Sequence, residues 1–95
     1  MLKTIYIASD HRAIDLKDAL MPWLQEKGWS VEDLTPPLNS DGMIDFPLAG
    51  QAVAQKVAKD KDSVGILACR SGVGVTIAAN RFRGIRAANA HSVEE

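Results

Sequence analysis

The chain has 95 residues, and its 11 lysines and arginines against 12 aspartates and glutamates leave a formal net charge of -1. That balance excludes the basic excess of a nucleic-acid binder and the polybasic face of an electrostatic membrane binder, and no apolar run approaches membrane-spanning length. The single cysteine, Cys69, excludes an internal disulfide and any C-x-x-C redox or zinc pattern, and fits a reducing, cytoplasmic setting.

In chain order, the N-terminal "MLKTIYIASDH" meets acid too soon for a signal peptide, and within it "TIYIAS" (Thr4–Ser9) reads as a buried strand. From Ala13 the apolar positions Ile14, Leu16, Leu20, Met21 and Leu24 recur at helical intervals, and Lys27-Gly28 is a stop signal. Pro22 inside this helix is expected to kink it. "WSVEDL" alternates and reads as a second strand, and the turn-rich "TPPLNSDGM" as a surface loop. Phe46–Lys59 forms a second amphipathic helix, with Asp45 as N-cap and Pro47 in the first turn. "SVGILAC" is continuously apolar, the mark of a parallel strand covered on both faces. A third helix is expected over residues 72–81 and a weaker fourth strand over 84–90. The two tryptophans, Trp23 and Trp29, are expected to pack.

Strictly alternating strands and helices imply an α/β domain with a parallel sheet, helices on its faces and right-handed crossovers. With strand order 2-1-3-4, the first and third strands flank the switch point where such sheets bind ligands. Two polar clusters then face one crevice. One is Ser9-Asp10-His11; the other is Cys69-Arg70-Ser71-Gly72-Val73-Gly74. Gly72 and Gly74 permit close backbone approach, and unpaired N–H groups at a helix start favour a phosphate or a developing oxyanion.

Three named loops are excluded by position. G-x-x-x-x-G-K-[ST] is absent; the dinucleotide fingerprint needs glycine where Ile77 stands; a C-x5-R phosphatase loop needs arginine where Val75 stands. Cys69 has two readings. Cysteine is a common core filler, but thiolates are favoured beside helix N-termini and arginines, and there one can act as nucleophile or general base. Asp10 has the reading of a plain turn residue beside that of a ligand contact. His11 by itself reads more readily as a surface or cap histidine than as a catalytic one, and His91 is expected to be structural or exposed.

"ASDHRAIDLK", "DFPLAGQAVAQKV" and "GILACRSGVGVTIAANRFRGIRAA" resemble, along the whole chain, the ribose-5-phosphate isomerase B family, which includes the galactose-6-phosphate isomerase subunits. The resemblance implies a Rossmann-like three-layer α/β/α fold, a single sugar-phosphate isomerase domain over residues 1–95 and a homodimer, or a dimer of such dimers, with sites at the subunit interface. It implies aldose–ketose isomerisation without metal or other cofactor, ribose 5-phosphate to ribulose 5-phosphate first. Carried over by position, Cys69 is the proton-transfer base and Ser71 assists it. Backbone N–H groups from Arg70 through Gly74 hold the enediolate oxygen, Asp10 binds and opens the sugar ring, and His11 contacts the phosphate.

This chain departs from the family pattern at several positions. Arg70 replaces a loop glycine, Ser71 a threonine, Arg12-Ala13 an Ala-Gly pair, and Phe46 a frequent tyrosine. Arg70 and Arg12 add positive charge near the expected pocket; the substituted loop, with the family's C-terminal elements not in these 95 residues, raises the alternative of a phosphosugar-binding subunit without turnover. Family members continue through a helix bearing the ring-opening histidine, a fifth strand and a last helix with phosphate-binding arginines. "SVEE" at residues 92–95 matches a capping box that announces a helix, so the chain is expected to be part of a longer fold.

Overall fold

The computed structural model describes residues 3–69, 79–80 and 84–86. In chain order these form β1 (Thr4–Ser9), α1 (Ile14–Glu26), β2 (Ser30–Asp33), α2 (Phe46–Lys59) and β3 (Ser63–Ala68). The strands make a parallel sheet of order β2-β1-β3, with β1 paired to β2 from Thr4↔Ser30 and to β3 from Thr4↔Ser63. The order, the parallel pairing and the helix on each face are those expected from the alternation.

β1 is buried along its length because successive side chains enter opposite layers. Ile5 and Ile7 pack with Leu20, Met21 and Leu24 of α1, and with Trp29, Val31 and Ile66. Tyr6 and Ala8 pack with Ala49, Val53 and Val57 of α2, and with Leu34 and Leu67. Burying each isoleucine contributes about 1.5–3 kcal/mol. α2 lies unusually close to β3 because Gly65 has no side chain: a Cβ there would stand 2.6 Å from Val53 Cγ1 and 3.2 Å from Val57 Cγ2.

The stop at Lys27-Gly28 is a Schellman motif. Gly28 has φ 95°, its N–H donates to the Gln25 carbonyl, and the Trp29 N–H donates to the Leu24 carbonyl. Leu24 and Trp29 share the same core cluster, which supplies the apolar contact that accompanies the motif.

Three expectations are corrected, and a fourth, the N-cap, holds in position without its side-chain bond. Leu16 is exposed, and the buried stripe of α1 runs through Lys17 instead, because residues 17, 20, 21 and 24 share one helical face. Trp23 is also exposed, with the Lys27 ammonium 5.3 Å from its ring centroid. Asp45 occupies the N-cap of α2 but makes no side-chain capping bond; its carbonyl accepts from the Leu48 and Ala49 N–H groups. β3 is covered toward its end and not at its start, where Val64 is 48 % exposed, because α1 lies chiefly over β2 and β1.

Of the third expected helix, Ala79 and Asn80 are described and helical. Of the fourth strand, only 84–86 are described; Gly84 with φ 85° belongs to a turn, and residues 85–86 lie in no strand. The remainder of both elements, and the 92–95 capping box, lie outside the described residues.

Candidate active site

The carboxyl ends of β1 and β3 are tied together. Ser9 pairs with Ala68 in register, and one step further the Asp10 N–H donates to the Ala68 carbonyl at 3.0 Å. Asp10 and Cys69 therefore leave adjacent strands at the same level, on the sheet edge where strand order reverses. The structure thus brings together the start of the second cluster with Ser9, Asp10 and His11. Cys69 is half-buried. Arg70, Ser71, Gly72, Val73 and Gly74 lie outside the described residues.

Asp10 is 6 % exposed. Its Oδ1 accepts from the Arg12 N–H at 2.9 Å and its carbonyl from the Ala13 N–H at 3.3 Å, which turns the chain into α1. The turn uses the Oδ1 oxygen of the carboxylate, so Asp10 is a turn residue. Ser9 Oγ, fully buried beside it, has no partner among the described residues.

His11 reaches across the crevice mouth to the loop between β2 and α2, where its Nδ1 accepts the Ile44 N–H at 3.2 Å. That loop is held by Asn39. Its Oδ1 accepts from the Asp41 and Met43 N–H groups, its own N–H donates to the Met43 carbonyl at 2.7 Å, and its carbonyl accepts from the Gly42 N–H.

An ion pair buried on its lysine side escaped the sequence reading. Lys17 Nζ donates to Asp33 Oδ2 at 2.7 Å, with Asp18 at 3.4 Å as an outer partner. Asp33 Oδ1 accepts from the Thr35 hydroxyl at 2.6 Å and the Thr35 N–H at 2.9 Å, and Thr35 Oγ1 accepts the Ser9 N–H at 3.3 Å. The chain of bonds runs from α1 through the end of β2 to the end of β1, one residue before Asp10. Burial pushes the Asp33 carboxyl up, but the bonds from Lys17 and Thr35 and the ammonium charge outweigh it and hold it below its ordinary value. Burial likewise pushes Lys17 down, and its bond to Asp33 and the two carboxylate charges raise it overall. The signal was legible: a lysine in the apolar stripe of a helix needs a carboxylate partner.

Among the described residues no group of three or more His, Cys, Asp or Glu could hold a metal ion, and no helix is long and apolar enough to cross a membrane.

The family model described as Ribose/Galactose Isomerase matches residues 5–95. The chain belongs to this family. It is 42 % identical over 84 residues to a probable ribose-5-phosphate isomerase B of Mycoplasma pneumoniae, covering 88 % of this chain and 55 % of that protein. It is 38 % identical over 88 residues to a D-erythrulose-4-phosphate isomerase of Pectobacterium atrosepticum, covering 93 % and 57 %. The crystal structure of ribose-5-phosphate isomerase B from Mycoplasma genitalium with bound ribulose-5-phosphate is similar at TM-score 0.77 and 40 % identity, over 86 % of this chain and 54 % of that one. The chain thus spans about half the length of the ribose/galactose isomerases it matches. These relatives share the fold and differ in the sugar phosphate they are named for.

Proposed function

We propose that this chain is the proton-transfer portion of an aldose–ketose isomerase acting on a sugar phosphate, with ribose 5-phosphate and ribulose 5-phosphate as the first pair. The supporting observation is the Asp10 N–H to Ala68 carbonyl bond, which sets Cys69 and Asp10-His11 side by side at the switch point. Cys69 acts as the base. It takes the C2 proton of the open-chain aldose to give a cis-enediolate and returns a proton to C1, while the O2 proton passes to O1; no electrons enter or leave. Ser71 assists Cys69, and the backbone N–H groups of Arg70 through Gly74 stabilise the enediolate oxygen. Asp10 binds the sugar and helps open the ring, and His11 donates to the phosphate. Residues 1–95 act as one domain, in the cytoplasm, within a homodimer or a dimer of dimers, and need no metal or cofactor.

The test is turnover of ribose 5-phosphate, erythrulose 4-phosphate and galactose 6-phosphate by the purified protein and by Cys69→Ala. Loss of the base lowers kcat by about 10²–10⁴-fold; undiminished turnover in Cys69→Ala refutes the role of Cys69. Arg70 and Ser71 motivate a second reading, a binding subunit without turnover. Thermal stabilisation by a sugar phosphate, with no isomerisation of any of the three, establishes that one instead.

A further inference from the structure

We propose that Asn39 is a positioning residue for His11: it shapes residues 39–43 so that the Ile44 N–H meets His11 Nδ1 and leaves the ring proton on Nε2. A neutral imidazole has one donor nitrogen and one acceptor. Because Nδ1 accepts the Ile44 N–H, the proton belongs on Nε2. The ring then presents a single, directed donor, the kind a phosphoryl oxygen takes. The opposite tautomer would turn a lone pair toward the same oxygen and repel it.

The latch holds because both of its sides are fixed. Ile44 is buried, so its side chain anchors the peptide that carries the N–H. On the preceding side, all four bonds that close the loop involve Asn39, and Gly42 at φ 74° permits the reversal. Neither Asp41 nor Met43 can replace the Asn39 side chain, because each contributes only backbone groups to these bonds. Asn39 itself is exposed, and its hydrogen bonds among the described residues are all to Asp41, Gly42 and Met43. Its proposed effect on the ligand runs through Ile44 and His11.

The binding half of this inference rests on the proposed role of His11 at the phosphate; the tautomer half does not. The experiment is a long-range ¹H–¹⁵N correlation spectrum of the imidazoles at about pH 9, where histidines of ordinary basicity are neutral. The chain has only His11 and His91, and His11→Gln assigns them. The wild-type spectrum shows His11 protonated on Nε2 alone. Asn39→Ala moves both ring nitrogens toward averaged shifts, and Asn39→Asp, which keeps the Oδ1 acceptor, restores the wild-type pattern. With sugar phosphate, Asn39→Ala raises KM by about tenfold, the scale of one well-placed hydrogen bond, and leaves kcat unchanged; Asn39→Asp reverses most of this.

An Nδ1–H tautomer in the wild type overturns the proposal, and so does an unaltered His11 spectrum in folded Asn39→Ala. If Asn39→Ala does not fold, Gly42→Ala strains the same turn and is read the same way. If no sugar phosphate is turned over, the isomerase reading fails and the spectra still decide the role of Asn39.

Discussion

Replacing Asp33 by asparagine leaves the Lys17 ammonium in place and removes its nearest countercharge. The Lys17 side chain is 7 % exposed, and the remaining carboxylate, Asp18, is mostly in water at 3.4 Å. Stranding a buried charge costs about 3–5 kcal/mol. Two features reduce that here: the Asp33 side chain is 33 % exposed, so water reaches the break, and Asp18 stays within range. A loss of about 2 kcal/mol is expected, which in a domain of this size lowers Tm by roughly 8–16 °C. Lys17→Met keeps the buried stem and removes the charge, so it costs about 1 kcal/mol or less, and adding it to Asp33→Asn recovers most of the loss. Urea unfolding followed by circular dichroism measures all four proteins, compared at common slope. An Asp33→Asn variant within about 0.5 kcal/mol of wild type would refute the reasoning, since that is the behaviour of a surface site. The pair also sets a pH window. Asp33 is lowered in the fold, so its contribution is complete above its unfolded value, about 3.9, and fades as pH falls through the lower folded one. Lys17 is raised, so its contribution is complete below its unfolded value, about 10.4, and fades as pH rises through the higher folded one. The stability gap between wild type and Lys17→Met is therefore flat between these limits and narrows outside them.

In Asp10→Asn the new Oδ1 still accepts the Arg12 N–H, so the unfolding free energy from urea curves falls by no more than about 1 kcal/mol, while kcat/KM falls by about 10–100-fold through loss of the carboxylate charge; unchanged kinetics would reduce Asp10 to its turn. Gly65→Ala drives a methyl to 2.6 Å from Val53 Cγ1 and costs about 1–3 kcal/mol. Pairing it with Val53→Ala should then cost less than the sum of the two single changes, and strict additivity in the same unfolding assay would show that α2 is not wedged against β3 at this point.

The elements that were legible are those whose determinants are local. Period-two burial into two layers marks Thr4–Ser9, and the proline and apolar spacing mark Phe46–Lys59; both have the expected bounds. Gly28 stops α1 because its positive φ closes a Schellman motif, which needs only neighbouring residues. Asp45 is the N-cap as expected, but its capping bond depends on a rotamer that the sequence does not report. The site divides in the same way. That Asp10 and Cys69 come to one edge follows from strand order and register, and so was readable. That Lys17 finds Asp33, and that Ile44 finds His11 at a separation of 33 residues, depends on how α1 and the β2–α2 loop lie over the strand ends. Spacing along the chain carries nothing about either.

These two nonlocal links bear on the same short segment. From the β2 side, Asp33 and Thr35 hold the Ser9 N–H; from the β3 side, the Ala68 carbonyl holds the Asp10 N–H; from the loop, the Ile44 N–H holds the His11 ring. Ser9, Asp10 and His11 are thus each fixed by a different element, and no single one of those elements contributes them to the crevice. A group that must meet a reacting sugar within a few tenths of an ångström needs such over-determination, because a misplacement of about 1 Å far from the chemistry can cost a hundredfold in rate. The departures at Arg12 and Phe46 lie beside this frame and outside its bonds, since Arg12 lends it only a backbone N–H and Phe46 is exposed. Under the proposed function, changes there alter what the crevice accepts while the positions of Asp10 and His11 stay the same. A family whose members are named for sugar phosphates of different length has, in these flanking side chains, a place to vary without rebuilding the edge.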